Sequence, residues 1–278
     1  MQSYDGVSLT ESQNRNIREE AFHNEWAESL DAANVPVDAA WTAATCPEHR
    51  WIRERLGELR GKRILDLGCG AGEGAVWFAK QGAEVVACDL SPKFLELVQA
   101  LASVHSTTLV THVADADSIG LDADSFDIVY AGNLLHHVDI ARTLDQIYYV
   151  LKPGGILVSW DPLKHNPLIK IYRRMATEVR TIDEHPLSVA QLSEFRKRFS
   201  NVQYDCFWFC TLWIFMRFFL IERVHPSKER YWKKIIHEHE RLTPIFNRLD
   251  RVDRWLFRKV PYLKRFGWTI AVYAVKAG

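Results

Sequence analysis

The stretch that most constrains this chain is a glycine-rich loop between an apolar run and a helical pattern. Gly68, Gly70, Gly72 and Gly74 follow the apolar run 64–67 directly. Alternating glycines let the backbone adopt positive φ and approach a bound molecule closely, and N–H groups at the start of the next helix favour an anionic ligand group. The stretch therefore predicts a strand–loop–helix unit that binds a small molecule.

The spacing of these glycines argues against a dinucleotide. The dinucleotide fingerprint needs its third glycine at position 73, where this chain has Glu73. Asp66 stands two residues before the first glycine, which is a poor place for a pyrophosphate contact. It is a good place to orient a ligand that carries an ammonium group. The loop thus predicts a ligand other than NAD or FAD.

Residues 64–72 resemble the first motif of class I S-adenosylmethionine-dependent methyltransferases. Four later stretches, 85–91, 114–116, 126–130 and 151–155, resemble further motifs of that family in the same order. Residues 135–138, which contain two adjacent histidines, are similar to the small-molecule (type 11) subgroup that includes quinone-biosynthesis methyltransferases. The resemblance is close over about residues 50–160 and loose elsewhere.

The resemblance implies S-adenosyl-L-methionine as the cofactor. Asp89 would accept hydrogen bonds from the ribose hydroxyls, about twenty residues after the first glycine. Asp115 and Ala116 would contact the adenine. Methyl transfer from a sulfonium needs no metal, and we predict none. The predicted cofactor contacts are Asp66, Gly68, Cys69, Gly70, Gly72, Asp89, Leu90, Asp115, Ala116 and Asn133.

An alternation of strand and helix patterns between residues 63 and 160 predicts a doubly wound α/β sheet. Continuous apolar runs such as 156–158 are typical of parallel strands that are buried on both faces. The resemblance implies a Rossmann-like sheet of seven strands with the last one antiparallel. The pattern predicts strands near 63–67, 84–88, 107–113, 126–130, 154–160, 201–209 and 268–275, and helices near 12–30, 34–59, 73–81, 91–104, 134–151 and 168–179.

The two final strands are separated by about 58 residues, which predicts a helical insertion that overhangs the acceptor site. We divide the chain into an N-terminal helical lid (1–60), a core (61–209), the insertion (210–266) and the final strand (267–278). The aromatic segment 206–216 is too short to span a bilayer. Residues 222–265 contain 13 Lys/Arg and 6 Asp/Glu, so this region suits either an anionic membrane surface or ordinary packing under a solvated face.

Candidate catalytic residues follow the fourth and fifth strands, whose carboxyl ends should face the reaction centre. His136 and His137 are expected to begin the next helix, and the resemblance implies that the first of them faces the acceptor. His136 or His165 would accept a proton from the acceptor, and Asp161 would orient the imidazole. The predicted acceptor-binding residues are His137, Tyr172, Arg173, Arg174 and Arg180.

Composition limits the partners and the compartment. The formal net charge is zero, which removes a global electrostatic case for nucleic acid. Five cysteines without metal-like spacing favour a reducing compartment, so we expect a cytoplasmic protein. The predicted function is methyl transfer to an O or N atom of a small, amphipathic or anionic acceptor. The alternatives are a protein or RNA methyltransferase and a noncatalytic nucleotide-binding module.

Overall fold

The computed structural model describes residues 11–176, 181 and 183–278. Within this part of the chain, seven strands form one sheet. The strands are β1 (Arg63–Leu67), β2 (Glu84–Asp89), β3 (Val110–Val113), β4 (Phe126–Gly132), β5 (Leu151–Pro162), β6 (Ser200–Phe207) and β7 (Thr269–Val275). Their spatial order is β3-β2-β1-β4-β5-β7-β6, in which β7 is antiparallel to both neighbours. The predicted seven-stranded sheet with an antiparallel last strand is confirmed.

The described helices precede, connect and follow these strands. They are α1 (Glu11–Glu28), α2 (Val37–Thr42), α3 (Pro47–Leu56), α4 (Glu73–Lys80), α5 (Pro92–Val104), α6 (Ile140–Val150), α7 (Pro167–Met175), α8 (Leu192–Arg198), α9 (Trp213–Leu220), α10 (Tyr231–His237) and α11 (His239–Lys259). Short 3₁₀ turns lie at 32–34, 189–191, 210–212 and 261–266.

The sheet separates two hydrophobic cores. Successive residues of a strand point to opposite faces, so Ile64 of β1 lies in one core and Leu65 in the other. Ile128 and Val129 of β4 divide in the same way. Helices α2 to α5 cover the first face, while α6 and α8 cover the second. Burial on both faces explains the continuous apolar runs in the sequence.

The predicted single helix over 34–59 is wrong. Two shorter helices, α2 and α3, occupy this interval. Pro47 is the first residue of α3, and it holds the preceding residue Cys46 outside the helical region, at φ −119° and ψ 66°. The proline therefore starts a new helix instead of continuing the previous one.

One other predicted boundary is also corrected. The third strand begins at Val110, later than predicted, because the chain is still turning away from α5. There the Thr107 N–H donates to the Ala102 carbonyl at 2.9 Å, and Ser106 has φ 51°. Helix α7 ends at Met175, and the last residues predicted for it lie outside the described residues.

Helix α6 begins at Ile140, so the prediction that His136 and His137 begin this helix is wrong. Both histidines lie in a turn after β4. The Asp139 carboxylate caps α6 by accepting from the N–H groups of Ala141 and Arg142, at 3.0 and 3.1 Å. The cap stabilises the helix start three residues beyond the turn.

The interval between β6 and β7 contains α9, α10 and α11, which confirms the predicted helical insertion. Phe215, Phe218 and Ile235 of the insertion lie in the same core as Trp41 of α2. The Thr45 hydroxyl also donates to the Ile235 carbonyl, at 3.1 Å. The insertion therefore shares a hydrophobic core with the N-terminal helices, and the division into four segments stays a prediction. No helix of the described chain is both long and apolar enough to cross a membrane.

Candidate functional site

A cavity of about 250 Å³ lies at the carboxyl ends of β1, β2, β4 and β5, beneath α1 and α10. Ligands of open α/β sheets bind at this edge, beyond the strand ends. The glycine loop forms one part of the wall, and the turn after β4 forms another. Side chains from α1, α7 and α10 close it from above. The cavity therefore joins the two regions for which the sequence predicts cofactor and acceptor contacts.

The glycine loop has the positive φ angles that its spacing predicts. Gly68, Gly70 and Gly72 have φ values of 70°, 49° and 86°. A Cβ atom on Gly68 would lie 2.7 Å from the Leu134 side chain, so the close approach of the turn after β4 also requires glycine there. Gly72 does not line the cavity but begins α4, close to Val98 of α5.

Asp89 ties the end of β2 to this loop. One carboxylate oxygen accepts from the Gly70 N–H at 2.9 Å, and the other accepts from the Ser91 N–H at 2.9 Å. The side chain is 6% exposed and lines the cavity. A carboxylate fixed by two backbone donors has lone pairs left for ligand hydroxyls. Its predicted contact with the ribose stays a prediction.

Asp66 lies beneath the loop, and it is almost completely buried. Its Oδ2 atom is buried and has no hydrogen-bond partner among the described residues. Burial raises the pKa of this carboxyl group to about 8, against the lowering effect of the Ala75 N–H. Gly74 makes room for it, because a Cβ there would lie 2.6 Å from Oδ2. An unpaired buried carboxyl group fits a ligand ammonium, as the sequence suggests.

The other predicted cofactor contacts also lie in the cavity wall: Cys69, Leu90, Asp115, Ala116 and Asn133. Asp115 receives a hydrogen bond from the Asn16 side chain of α1, at 2.5 Å. Arg15 of α1 pairs with Asp117 at 2.9 Å. Helix α1 is thus tied to the predicted adenine-binding segment. The sequence patterns did not identify Arg15 and Asn16, because these residues stand in a charged and polar stretch that looks like any solvated helix.

His136 and Asp161 form a buried pair at the carboxyl edge of the sheet. The imidazole Nδ1 lies 2.9 Å from Asp161 Oδ1, and the His136 backbone N–H donates to the same oxygen at 3.2 Å. Burial raises the pKa of Asp161, in opposition to the backbone donors at residues 136 and 135. His136 lines the cavity, and Asp161 lies behind it. The predicted orientation of His136 by Asp161 has the geometry it requires, while the catalytic role stays a prediction.

His137 has a carboxylate neighbour from a different part of the chain. Its Nδ1 lies 3.2 Å from Glu19 Oε2, and Glu19 is a buried residue of α1. Burial acts to raise the pKa of Glu19, but the neighbouring His137, Thr181 and His23 outweigh it, and the net pKa is lowered. His23 of α1 lies against the same histidine, with 5.8 Å between ring centroids. Helix α1 therefore covers the cavity from residues 115–117 to the turn after β4.

An aromatic wall closes the inner end of the cavity. The Tyr130 hydroxyl accepts from the Trp160 indole at 2.8 Å and lies 3.0 Å from His49 Nε2. Burial lowers the pKa of His49 to about 4 and raises that of the neighbouring Glu48 to about 7. The ring centroids of Trp41 and His49 are 4.6 Å apart. Sequence reasoning missed His49 and Glu48 because they lie on a helix that precedes every recognised motif.

Some of the remaining predicted residues lie in the cavity wall and others do not. Tyr172 and Arg173 line the cavity, whereas Arg174 is exposed and does not. Arg180 lies outside the described residues. His165 is also absent from the cavity wall. The neighbouring Asn166 caps α7 and donates to the Phe266 carbonyl at 2.5 Å, which turns this segment towards residues 261–266. Burial and the charge of Arg265 lower the pKa of His165.

One group of side chains has a spacing that would suit a metal ion. A nitrogen of His136, a nitrogen of His137 and a carboxylate oxygen of Glu184 lie within 4.8 Å of one another. Each already has a charged or ionisable neighbour: Asp161, Glu19 and Arg173 respectively, with Arg173 at 2.9 Å from Glu184. The expectation that no metal is needed stays a prediction. Glu184 is a further cavity residue that the motifs did not identify.

The comparison with protein families agrees with the geometry. Residues 65–159 match the family model described as a methyltransferase domain. Residues 65–159 therefore carry the sequence pattern of a methyltransferase domain. The match begins in β1 and ends in β5, so the methyltransferase domain includes the glycine loop, Asp89 and the turn with His136.

Curated relatives match around this domain. A demethylmenaquinone methyltransferase of Clavibacter sepedonicus is 34% identical over 143 residues, which cover 50% of this chain and 55% of the relative. A ubiquinone biosynthesis O-methyltransferase of Coxiella burnetii is 34% identical over 109 residues, which cover 39% and 46%. The chain spans about half the length of the curated relatives it matches.

The fold extends beyond the family match. The structure of Haemonchus contortus phosphoethanolamine N-methyltransferase 2 in complex with S-adenosyl-L-methionine aligns with a TM-score of 0.56 and 22% identity. The alignment covers 82% of this chain and 52% of that one. At this identity the likeness concerns the fold. It supports the methyltransferase-type sheet and leaves the acceptor to be argued from the cavity.

Proposed function

We propose that this protein transfers a methyl group from S-adenosylmethionine to an O or N atom of a small, amphipathic or anionic acceptor. The observation that carries the proposal is the single cavity that joins the glycine loop to the His136–Asp161 pair. A binding module would need only the first of these parts. The second supports a proton-accepting role at the strand ends, beside the residues proposed to hold the cofactor.

The residues proposed to hold the cofactor have complementary chemistry. The orphaned Oδ2 of Asp66 would take the ammonium group, and Asp89 would take the ribose hydroxyls. Asp115 and Ala116 would flank the adenine. When bound, S-adenosylmethionine supplies an electrophilic methyl group on a sulfonium. The protein then has to align the acceptor and handle one proton.

His136 is the side chain proposed to take that proton. Asp161 at 2.9 Å holds Nδ1, which directs the opposite edge of the imidazole to the cavity that His136 lines. A carboxylate at Nδ1 also stabilises the imidazolium that proton uptake forms. His165 does not line the cavity and lacks this placement, so its catalytic role stays a prediction.

The upper part of the cavity supports a small acceptor with both apolar and polar groups. Trp26 and Trp232 contribute aromatic surface, while Arg173 and Lys233 contribute charge. The names of two curated relatives refer to demethylmenaquinone and to ubiquinone biosynthesis, which supports a small-molecule acceptor. The insertion supplies Trp232 and Lys233, so its proposed role is to select the acceptor.

Peripheral membrane contact stays a prediction of the same proposal. On the outside of the insertion, Trp213, Met216 and Leu220 of α9 are exposed at helical spacing. On α11, Val252 and Trp255 are exposed as well. Exposed apolar residues beside a basic helix suit an anionic membrane surface.

The experiment that tests the function uses the full chain and labelled S-adenosylmethionine. The protein is incubated with polar, lipid and macromolecular fractions of a cell extract, and incorporated label is counted in each. We expect label in a small-molecule fraction, and calorimetry should show binding of S-adenosylhomocysteine but not of NAD. Label in protein or RNA would instead support the macromolecular alternative. Cofactor binding without label in any fraction would support a noncatalytic module.

A further inference from the structure

Four cationic side chains line the cavity, and one of them differs from the rest. Arg15 pairs with Asp117 at 2.9 Å, Arg173 pairs with Glu184 at 2.9 Å, and Lys233 pairs with Glu73. Arg230 lies in the same wall. Within the described residues, no carboxylate lies within ion-pair distance of its guanidinium, and no side-chain hydrogen bond satisfies it.

Arg230 is held in place by aromatic contacts. Its guanidinium carbon lies 3.9 Å from the centroid of the Trp26 ring and 5.9 Å from that of Phe22. Trp26 is itself packed edge-on against Phe94, at 5.3 Å. Stacking on a ring face orients the planar guanidinium while leaving its N–H donors at the edge for a ligand.

The surroundings of Arg230 leave its charge uncompensated. Burial lowers the pKa of Arg230, while Tyr172 and Glu184, neither of them within ion-pair distance, act in the opposite direction. Glu184 is already paired with Arg173, which reduces its effect on an incoming anion. A partly buried guanidinium without a partner is unfavourable, so such a group is retained where a ligand supplies the missing charge.

We infer that Arg230 is the binding group for an oxyanion, a phosphate or carboxylate, on the methyl acceptor. This inference rests on the proposed function, because it assigns the acceptor-binding end of the same cavity. Guanidinium groups bind both oxyanions through two parallel N–H donors. The acceptor is therefore an anionic small molecule that presents its charged end to Arg230.

A row of aromatic rings leads from Arg230 to the proposed reaction centre. Trp26, which stacks on Arg230, lies 6.2 Å from the ring of His23. His23 lies 5.8 Å from His137, whose ring is 4.0 Å from that of His136. An acceptor lying along this row would have its anionic end at Arg230 and its reacting atom near His136. The aromatic rings would contact the apolar part between them.

The experiment measures binding of inorganic phosphate to the full chain saturated with S-adenosylhomocysteine. Phosphate titrations by calorimetry compare the wild type with Arg230→Gln and Arg230→Lys. Lys228→Gln is the matched control, since Lys228 is an exposed cation on the same loop and is not part of the cavity wall. A parallel titration with acetate separates carboxylate from phosphate preference.

We expect phosphate or acetate to bind the wild type and Lys228→Gln alike, and Arg230→Gln to weaken binding at least tenfold. Arg230→Lys should give an intermediate loss, because the charge remains but the planar donor pair is lost. Equal affinity in the wild type and Arg230→Gln would overturn the inference. So would the absence of binding of both anions to the wild type. S-adenosylhomocysteine affinity, measured first, reports separately on the proposed function.

Discussion

The two ends of the cavity are built in different ways. The proposed cofactor end is local in sequence: Asp66, the glycine loop and Asp89 lie within 24 residues, and backbone N–H groups fix the Asp89 carboxylate. The proposed acceptor end takes Glu19 from α1, His136 from the turn after β4, and Arg230 from the insertion. These side chains contact partners that are remote in sequence, such as His137 for Glu19 and Trp26 for Arg230.

This difference indicates that the proposed acceptor end can change without loss of cofactor binding. A strand–loop–helix unit folds into its binding geometry through its own glycines and hydrogen bonds. The acceptor end depends on the docking of α1 and of the insertion onto the sheet. Substitutions there should alter acceptor binding or turnover while cofactor affinity is retained. Three measurements on variants test this separation, beginning with the largest effect.

His136→Ala should lower turnover about 100-fold, because it removes the proposed proton acceptor. Affinity for S-adenosylhomocysteine should stay within about twofold, since the variant leaves the glycine loop and Asp89 intact. Labelled methyl transfer and calorimetry measure the two quantities. The control is His105→Ala, a histidine at the end of α5 that does not line the cavity. A His136→Ala variant with full turnover would show that the two ends do not divide binding and chemistry as proposed.

Asp89→Ala should act in the opposite way, by weakening S-adenosylhomocysteine binding at least tenfold. Each hydrogen bond to a charged group contributes roughly 1.5–3 kcal/mol, and the variant also removes the acceptor for the Gly70 N–H. At saturating S-adenosylmethionine, turnover should recover most of its wild-type value. Asp89→Asn retains an oxygen acceptor and should show a smaller loss. Unchanged affinity in Asp89→Ala would contradict the assignment of the cofactor end.

The third test concerns stability, namely a pH dependence of ligand-free stability that arises from Asp66. Its pKa is about 8 in the folded chain, above the value of roughly 3.9 for an unfolded aspartate. The unfolded chain therefore loses this proton first as the pH rises. The contribution of Asp66 to stability is complete below about pH 4 and is lost progressively towards about pH 8.

Urea unfolding of the wild type and Asp66→Asn at about pH 5 and about pH 8 measures this contribution. The wild type should lose more stability than Asp66→Asn between the two conditions, because the amide does not ionise. Both proteins retain Glu48, whose pKa is about 7, so the comparison isolates Asp66. Saturating S-adenosylhomocysteine should reduce the difference if its ammonium group pairs with Asp66. Identical pH dependence in both proteins would place the buried proton elsewhere.

The sequence by itself determined the sheet and the geometry of the proposed cofactor end. The apolar runs of β1, β4 and β5 and the glycine spacing act over a few residues, so their pattern specifies strands and a ligand-binding loop. The sequence also indicated that Asp161 would orient His136, since parallel strands bring their carboxyl ends to one edge. It did not determine the start of α6, because the cap at Asp139 competes with a longer helical pattern.

Only the tertiary structure decided the proposed acceptor end. Glu19 looks like any acid on a polar helix until α1 docks over His137, at 3.2 Å. Arg230 is one of 13 basic residues between 222 and 265, and its lack of a carboxylate partner among the described residues becomes visible only once Arg15, Arg173 and Lys233 are seen to be paired. The physical reason is that burial and charge pairing depend on contacts between distant segments, and a sequence pattern records only neighbours along the chain.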